Sequence, residues 1–298
     1  MRIAVTGKSG QVTSALQALN AGDDIEVIAI GRPELDLLEP SMVRETIAKI
    51  KPDVVVSSAA YTAVDKAESD EAAAFAINRD GARDIAAAAA ELSLPVIHLS
   101  TDYVFDGDKP ERYVESDPVG PVSVYGRSKL EGEYAVAAAN ENHVILRTAW
   151  VYSPFGHNFV KTMLRLAETR EELSVVSDQL GCPTSANDIA EAIVKVADRL
   201  AKDSSPDLRG VFHLAGSGET SWAGFARYIL SVLEEKTGRR VTVRDIATAD
   251  YPTAAKRPAN SRLCCDKLKR LYGVSMPEWR MSMRAAVTTL LEEPKEAV

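Results

Sequence analysis

Apolar residues occur in short unbroken runs in the first half of the chain, each followed by a stretch in which they recur at helical spacing. Residues 3–6, 25–30 and 53–60 are three such runs, the last centred on Val54, Val55 and Val56; 96–101 and 144–148 are two more. Runs of this length, β-branched and without polar alternation, predict strands buried on both faces. The intervening stretches predict helices: one from about Gln11, one over 40–50 opening on Pro40, a long alanine-rich one over 70–92, and one over 125–139.

The second half is less regular. Helices are predicted over 158–169, 187–200, 221–235 and 281–291, with Ser221 as an N-cap. Strands are predicted over 173–176, 211–214 and 241–246, and the polar stretch 202–209 reads as a surface loop. This order predicts an α/β fold: a doubly wound parallel sheet formed by residues 1–155 plus 186–215, with a smaller α/β lobe from 156–185 plus 216–298 over the sheet edge. Such sheets bind ligands at the carboxyl ends of their strands. Thr6, Ala59-Ala60, Ser100-Thr101 and Arg147-Thr148 fall at those ends.

Bulk composition narrows the partners. The chain has 298 residues, 46% hydrophobic and 26% charged, which suits a water-soluble globule. A net charge of −8 argues against nucleic acid or an anionic membrane as the main partner. The apolar stretch 85–90, closed by Glu91, is far too short to span a bilayer. A core strand beginning at residue 2 leads us to expect no secretory leader. Three cysteines, Cys182, Cys264 and Cys265, lack metal-ligand spacing and fit a reducing, cytoplasmic compartment.

Two motifs carry chemistry. Gly7-Lys8-Ser9-Gly10-Gln11-Val12-Thr13 follows the first strand and opens the first helix. That is the setting of a Rossmann-like dinucleotide site, where glycines let the backbone approach a pyrophosphate and the helix N-terminus supplies amides. The third glycine of the usual pattern is Thr13 here, so helix–strand packing must absorb an extra side chain. The second motif is Tyr125-Gly126-Arg127-Ser128-Lys129. A tyrosine and a lysine four apart share one helix face. A phenol ordinarily titrates near about 10, and an ammonium beside it would lower that value toward neutrality. Thr101, at a neighbouring strand end, would hydrogen-bond the reacting oxygen. The trio suits carbonyl–alcohol chemistry, although Y-x-x-x-K by itself recurs by chance.

Longer strings are more specific. Thr62-Ala63-Val64-Asp65-Lys66-Ala67-Glu68, Ser100-Thr101-Asp102-Tyr103-Val104-Phe105, Asp178-Gln179-Leu180-Gly181 and Arg257-Pro258-Ala259-Asn260 join the two motifs. With them the chain resembles the extended short-chain dehydrogenase/reductases and, within them, the dTDP-4-dehydrorhamnose reductases, nearly end to end. The resemblance implies reduction of the C4 keto group of dTDP-4-dehydro-L-rhamnose by a nicotinamide. Tyr125 would be the proton donor, Lys129 would keep the phenol acidic and bond the nicotinamide ribose, and Thr101 would hold the oxygen.

By the same analogy Gly7, Gly10, Gln11, Val12, Asp36, Leu37, Ala59, Ala60 and Tyr61 would contact the cofactor. Val64, Tyr103, Trp150 and Arg257, with Thr101 and Tyr125, would contact the nucleotide sugar. Competing readings are a core indole for Trp150, a surface ion pair for Arg257, and packing for Tyr61. His98 reads as a core histidine, and His157 as a residue near the substrate or on the surface. The second strand ends Ile28-Ala29-Ile30-Gly31-Arg32 without an acid, so Arg32 would meet a 2′-phosphate and favour NADPH, with NADH usable. Some members of the family form a magnesium-linked dimer through a glutamate after the glycine motif. Here that segment is Thr13-Ser14-Ala15, so we expect no metal, and a monomer or a dimer built without one. Two rival functions share these residues: an epimerase or reductase acting on another nucleotide sugar, and a non-catalytic regulatory subunit.

Overall fold

Six of the apolar runs pair into one parallel sheet in the computed structural model, which describes residues 1–20 and 24–292. The chain opens with β1 (Arg2–Thr6), α1 (Gln11–Ala18), β2 (Glu26–Ile30), α2 (Pro40–Ile50) and β3 (Val54–Ser57). Next come α3 (Val64–Ala67), α4 (Glu71–Phe75), a π-helical segment (Ala76–Gly81), α5 (Ala82–Glu91), β4 (Val96–Thr101), α6 (Val124–Ala139) and β5 (His143–Thr148). The rest runs β6 (Val151–Tyr152), α7 (Phe159–Ala167), β7 (Glu172–Val176), β8 (Leu180–Gly181), β9 (Thr184–Ser185), α8 (Ala186–Lys202), β10 (Gly210–His213) and β11 (Thr220–Ser221). It closes with α9 (Trp222–Thr237), β12 (Thr242–Ile246), β13 (Asn260–Ser261), α10 (Asp266–Tyr272) and α11 (Trp279–Glu292).

Strand order in the sheet is β10-β5-β4-β3-β1-β2, with every pair parallel. Order reverses between β1 and β3, and a crevice opens beyond the strand ends there. Thr101 lies opposite Thr148 in register, and both sit at the same edge as Thr6. Helices cover both faces. On one, Leu16 of α1 and Ile189, Ile193 and Val196 of α8 pack with Ile3 and Leu146. On the other, Ile47 of α2 and Ile85 and Ala89 of α5 pack with Val55 and Ile145. A separate apolar cluster joins α7, α9 and α11 with β7, around Phe225, Ile229, Trp279 and Met283. Leu268 of α10 packs into the sheet cluster instead, beside Phe212. Residues 293–298 of the expected lobe lie outside the described residues.

Local chemistry accounts for several boundaries. Pro40 starts α2, and Ser221 caps α9 by accepting from the Gly224 amide, both as expected. The strand expected over 53–60 stops at Ser57, because the Ser58 and Ala59 amides turn to donate to Thr6 Oγ1 at 3.0 and 3.1 Å. The single helix expected over 70–92 is three segments with a π-helical middle. Asn78 in that middle is buried, accepts from the Tyr61 amide (2.8 Å) and donates to Tyr61 O (3.1 Å) and Ser128 Oγ (2.9 Å). π-Helical turns re-aim side chains in this way. The loop expected over 202–209 contains a 3₁₀ turn, Pro206–Leu208, because Leu208 buries its side chain. No helix of the described residues is long and apolar enough to cross a membrane.

Candidate active site

A cleft of about 940 Å³ runs along the strand ends from the glycine loop to the lobe. Gly7, Gly10, Gln11, Val12, Arg32, Asp36, Leu37, Ala59, Ala60, Val64, Thr101, Tyr103, Tyr125, Lys129 and Trp150 all line it. Tyr61 and Arg257 do not. Tyr61 donates its hydroxyl to Asp70 at 3.0 Å, and Arg257 forks onto Asp65 at 2.7 and 3.2 Å. Both side chains are held by carboxylates that sequence spacing does not reveal.

The glycine loop is built for an anion. Gly7 has φ +97°, where an L side chain is strained. Helix α1 follows its N-cap Gly10 with no side-chain cap and no acid in its first turn, so its leading amides and positive dipole face the cleft. Two buried oxygens of residues that line the cleft, Thr13 Oγ1 and Thr148 Oγ1, have no hydrogen-bond partner among the described residues. Buried polar atoms ordinarily find partners, so these suit a polar ligand. Thr13, the residue in place of the third glycine, is buried and faces the Gly7 turn. These features fit a dinucleotide. Arg32 is exposed at the cleft and has no ion-pair partner among the described residues. Asp36 spends Oδ1 on the Leu38 amide at 3.1 Å.

Gln11 has a role that its motif position does not disclose. Its Oε1 accepts from Ser153 (2.9 Å) and Asn158 (3.0 Å), which clamps the glycine loop to the turn before α7. That turn brings His157, exposed, to the cleft lining.

Tyr125 and Lys129 lie on one face of α6, whose start is doubly capped. Ser123 accepts from the Gly126 amide, and Glu68 Oε1 accepts from the Val124 amide at 2.8 Å. Gly126 is required where it stands: a Cβ there would lie 2.3 Å from Tyr103 O. Thr101 donates to Asp102 Oδ1 at 3.0 Å and accepts from the Tyr103 amide at 3.2 Å. The Tyr103 ring meets Tyr125 edge-on, with centroids 5.7 Å apart.

Protonation corrects one expectation. Burial pushes the Tyr125 phenol up to about 12; the neighbouring Thr101 hydroxyl opposes the shift, and the Asp102 charge adds to it. Lys129 adds no lowering here; its ammonium donates to Leu99 O at 2.6 Å. Burial lowers Lys129 to about 8, and Glu133 works against that. Asp102 rises to about 6 through burial. Tyr125 is therefore a protonated phenol at neutral pH, able to give a proton to a developing alkoxide.

At the far end Trp150 takes φ +48°, a strained conformation for a bulky residue. It stacks on Trp222 with centroids 3.6 Å apart and planes 9° from parallel, and Gly181 leaves room for its ring. Trp222 also lines the cleft. Sequence reasoning missed it, as it missed Ser153 and Asn158. Behind the site, Arg147 makes a buried two-point ion pair with Glu133 at 2.9 and 2.6 Å, which also accepts from Ser100.

A Gly-turn crevice at the sheet's switch point, with Thr101, Tyr125 and Lys129 at its centre, defines a Rossmann-type nicotinamide-dependent oxidoreductase. Comparisons with known proteins narrow the class. The family model described as the RmlD substrate binding domain matches residues 1–292. A dTDP-4-dehydrorhamnose reductase of Sinorhizobium fredii is 61% identical over 297 residues, covering 100% of both chains. The chain belongs to the dTDP-4-dehydrorhamnose reductase family. Among solved structures, the Clostridium acetobutylicum member superposes with TM-score 0.90 at 40% identity, covering 98% of this chain and 100% of that one. The Bacillus anthracis member, solved in complex with NADP, gives 0.89 at 35% identity, covering 97% and 99%.

Proposed function

We propose that this protein reduces the C4 keto group of dTDP-4-dehydro-L-rhamnose to give dTDP-L-rhamnose, with NADPH as its preferred reductant and NADH usable. The observation that carries the reading is the convergence of Thr101, Tyr125 and Lys129 in one cleft with an uncapped glycine-loop helix. Full-length similarity to reductases named for this substrate supports it.

The α1 N-terminus with Gly7, Gly10, Gln11 and Val12 holds the pyrophosphate, Ala59 and Ala60 line its central part, and Asp36 and Leu37 edge the adenine. Arg32, exposed and without an ion-pair partner among the described residues, takes the 2′-phosphate. When bound, the reduced nicotinamide supplies the hydride. Negative charge then develops on the former carbonyl oxygen. Tyr125 gives that oxygen its proton, and Thr101 orients it by turning its hydroxyl from Asp102. Lys129 bonds the ribose with its ammonium. Val64, Tyr103 and Trp150 shape the sugar and base site. Arg257, forked onto Asp65 outside the cleft lining, keeps further N–H donors for a diphosphate oxygen. Residues 156–185 and 216–292, apart from α10, act as the substrate lobe that closes the cleft. The protein works in the cytoplasm, as a monomer or as a dimer built without metal, and has no nucleic-acid partner.

The test is cofactor oxidation with enzymatically generated dTDP-4-dehydro-L-rhamnose, with NADPH and NADH in parallel. Formation of dTDP-L-rhamnose, faster with NADPH, is expected. No product from protein that binds NADPH would move the function to another nucleotide sugar or to a regulatory role.

A further inference from the structure

We infer that His98, in the middle of β4, is a positioning residue that holds the Lys129 ammonium in place for the reaction. The inference rests on the role of Lys129 proposed above. Lys129 Nζ stands 2.6 Å from Leu99 O and 3.4 Å from His98 Nε2. An ammonium has three N–H donors and no lone pair. His98 Nε2 must therefore accept, and the imidazole proton must sit on Nδ1. That nitrogen is 3.0 Å from Ser57 Oγ on β3, which accepts it. Ser57, His98 and Lys129 are 1%, 1% and 3% exposed, so solvent offers no substitute partner.

The arrangement has one consistent protonation state. A proton on Nε2 would set N–H against N–H. Burial first, then the Lys129 charge and that of His143 on β5, keep His98 neutral and well below its ordinary range. Glu133, one turn along α6, also attracts Lys129, but it is already committed to Arg147 and Ser100. Two of the three Lys129 donors are thus tied to β4. The third remains for the cleft that Lys129 lines, and its direction follows from the other two. Ser57, which lies outside the cleft lining, acts by selecting the imidazole tautomer.

Two substitutions separate positioning from packing. His98→Asn keeps an N–H for Ser57 but offers Lys129 no acceptor; His98→Gln places a side-chain oxygen toward Lys129. For His98→Asn we expect kcat to fall about tenfold, with KM for the nucleotide sugar little changed. The alkaline limb of its pH profile should move to lower pH, because the ammonium has lost an acceptor. His98→Gln should restore most of both. Parallel loss in both variants, tracking a fall in Tm with no movement of the alkaline limb, would overturn the inference. An independent readout is ¹⁵N-histidine NMR of the wild-type protein, which has four histidines. The His98 signal, assigned by its displacement in Ser57→Ala, should show a neutral ring protonated on Nδ1 from about pH 5 to about pH 7, below the loss of the Lys129 proton at about 8. An Nε2-protonated or titrating ring would refute it, whether or not the enzyme reduces the proposed substrate.

Discussion

The β4–α6 junction and the Trp150–Trp222 wall bound the same cleft and are built differently. At the junction, hydrogen bonds and caps tie α6 to the end of β4, and Gly126 lets α6 approach Tyr103 O. At the wall, two indoles from β5's end and α9 meet across the lobe, one on strained backbone, with Gly181 of β8 making room. The first region fixes the proton donor through directional hydrogen bonds and backbone contact. The second offers broad aromatic surface whose position depends on how the lobe packs. Chemistry and substrate selection should therefore fail separately.

The largest expected effect tests the junction. Tyr125→Phe should lower kcat by roughly 10²–10⁴-fold, with NADPH affinity, read by fluorescence titration, close to wild type. Retained turnover would remove the phenol from the mechanism. Glu133→Gln leaves Arg147 as an unpaired buried charge and should cost about 3–5 kcal/mol in urea unfolding. A small loss would mean that the junction is not braced from behind. Trp222→Ala should raise KM for the nucleotide sugar by about tenfold with a smaller change in kcat. A fall in kcat matching that of Tyr125→Phe would erase the division between the two regions.

The pH profile gives a gentler test. Burial lowers Lys129 to about 8, so its charged form prevails below that pH and is lost above it. Activity carried by the ammonium should be full near neutrality and decline as pH rises through about 8. A plateau extending to the ordinary lysine range would separate turnover from Lys129 charge. The smallest effect is expected at Arg32. Arg32→Ala should reduce the NADPH-to-NADH ratio of kcat/KM by about three- to tenfold, because an exposed charge is screened by solvent.

The expected strands at 3–6, 96–101 and 144–148 lie close to β1, β4 and β5, because strands buried on both faces read as mostly apolar runs. The Y-x-x-x-K pair was legible for a similar reason, since helical geometry alone brings its members to one face. The helix over 70–92 misled because alanine favours a regular helix, while the Asn78 side chain bonds Tyr61 and Ser128 from a π-helical turn. Tyr61 and Arg257 were placed at the cleft by analogy. The fold instead gives them Asp70 and Asp65, and the Arg257 partner is far away in the chain.

By itself the sequence determined the strand–helix alternation, the glycine loop, and the spacing that sets Tyr125 and Lys129 together. Each depends on backbone geometry over a few residues. Tertiary structure decided which side chains reach the cleft, the stacking of Trp222 on Trp150, the clamp from Gln11 to Ser153 and Asn158, and the chain from Ser57 through His98 to Lys129. It also set the direction in which burial moves Tyr125 and Lys129. These depend on neighbours brought together from separate elements, and a desolvated charge or an unpaired hydroxyl exists only once those neighbours exclude water.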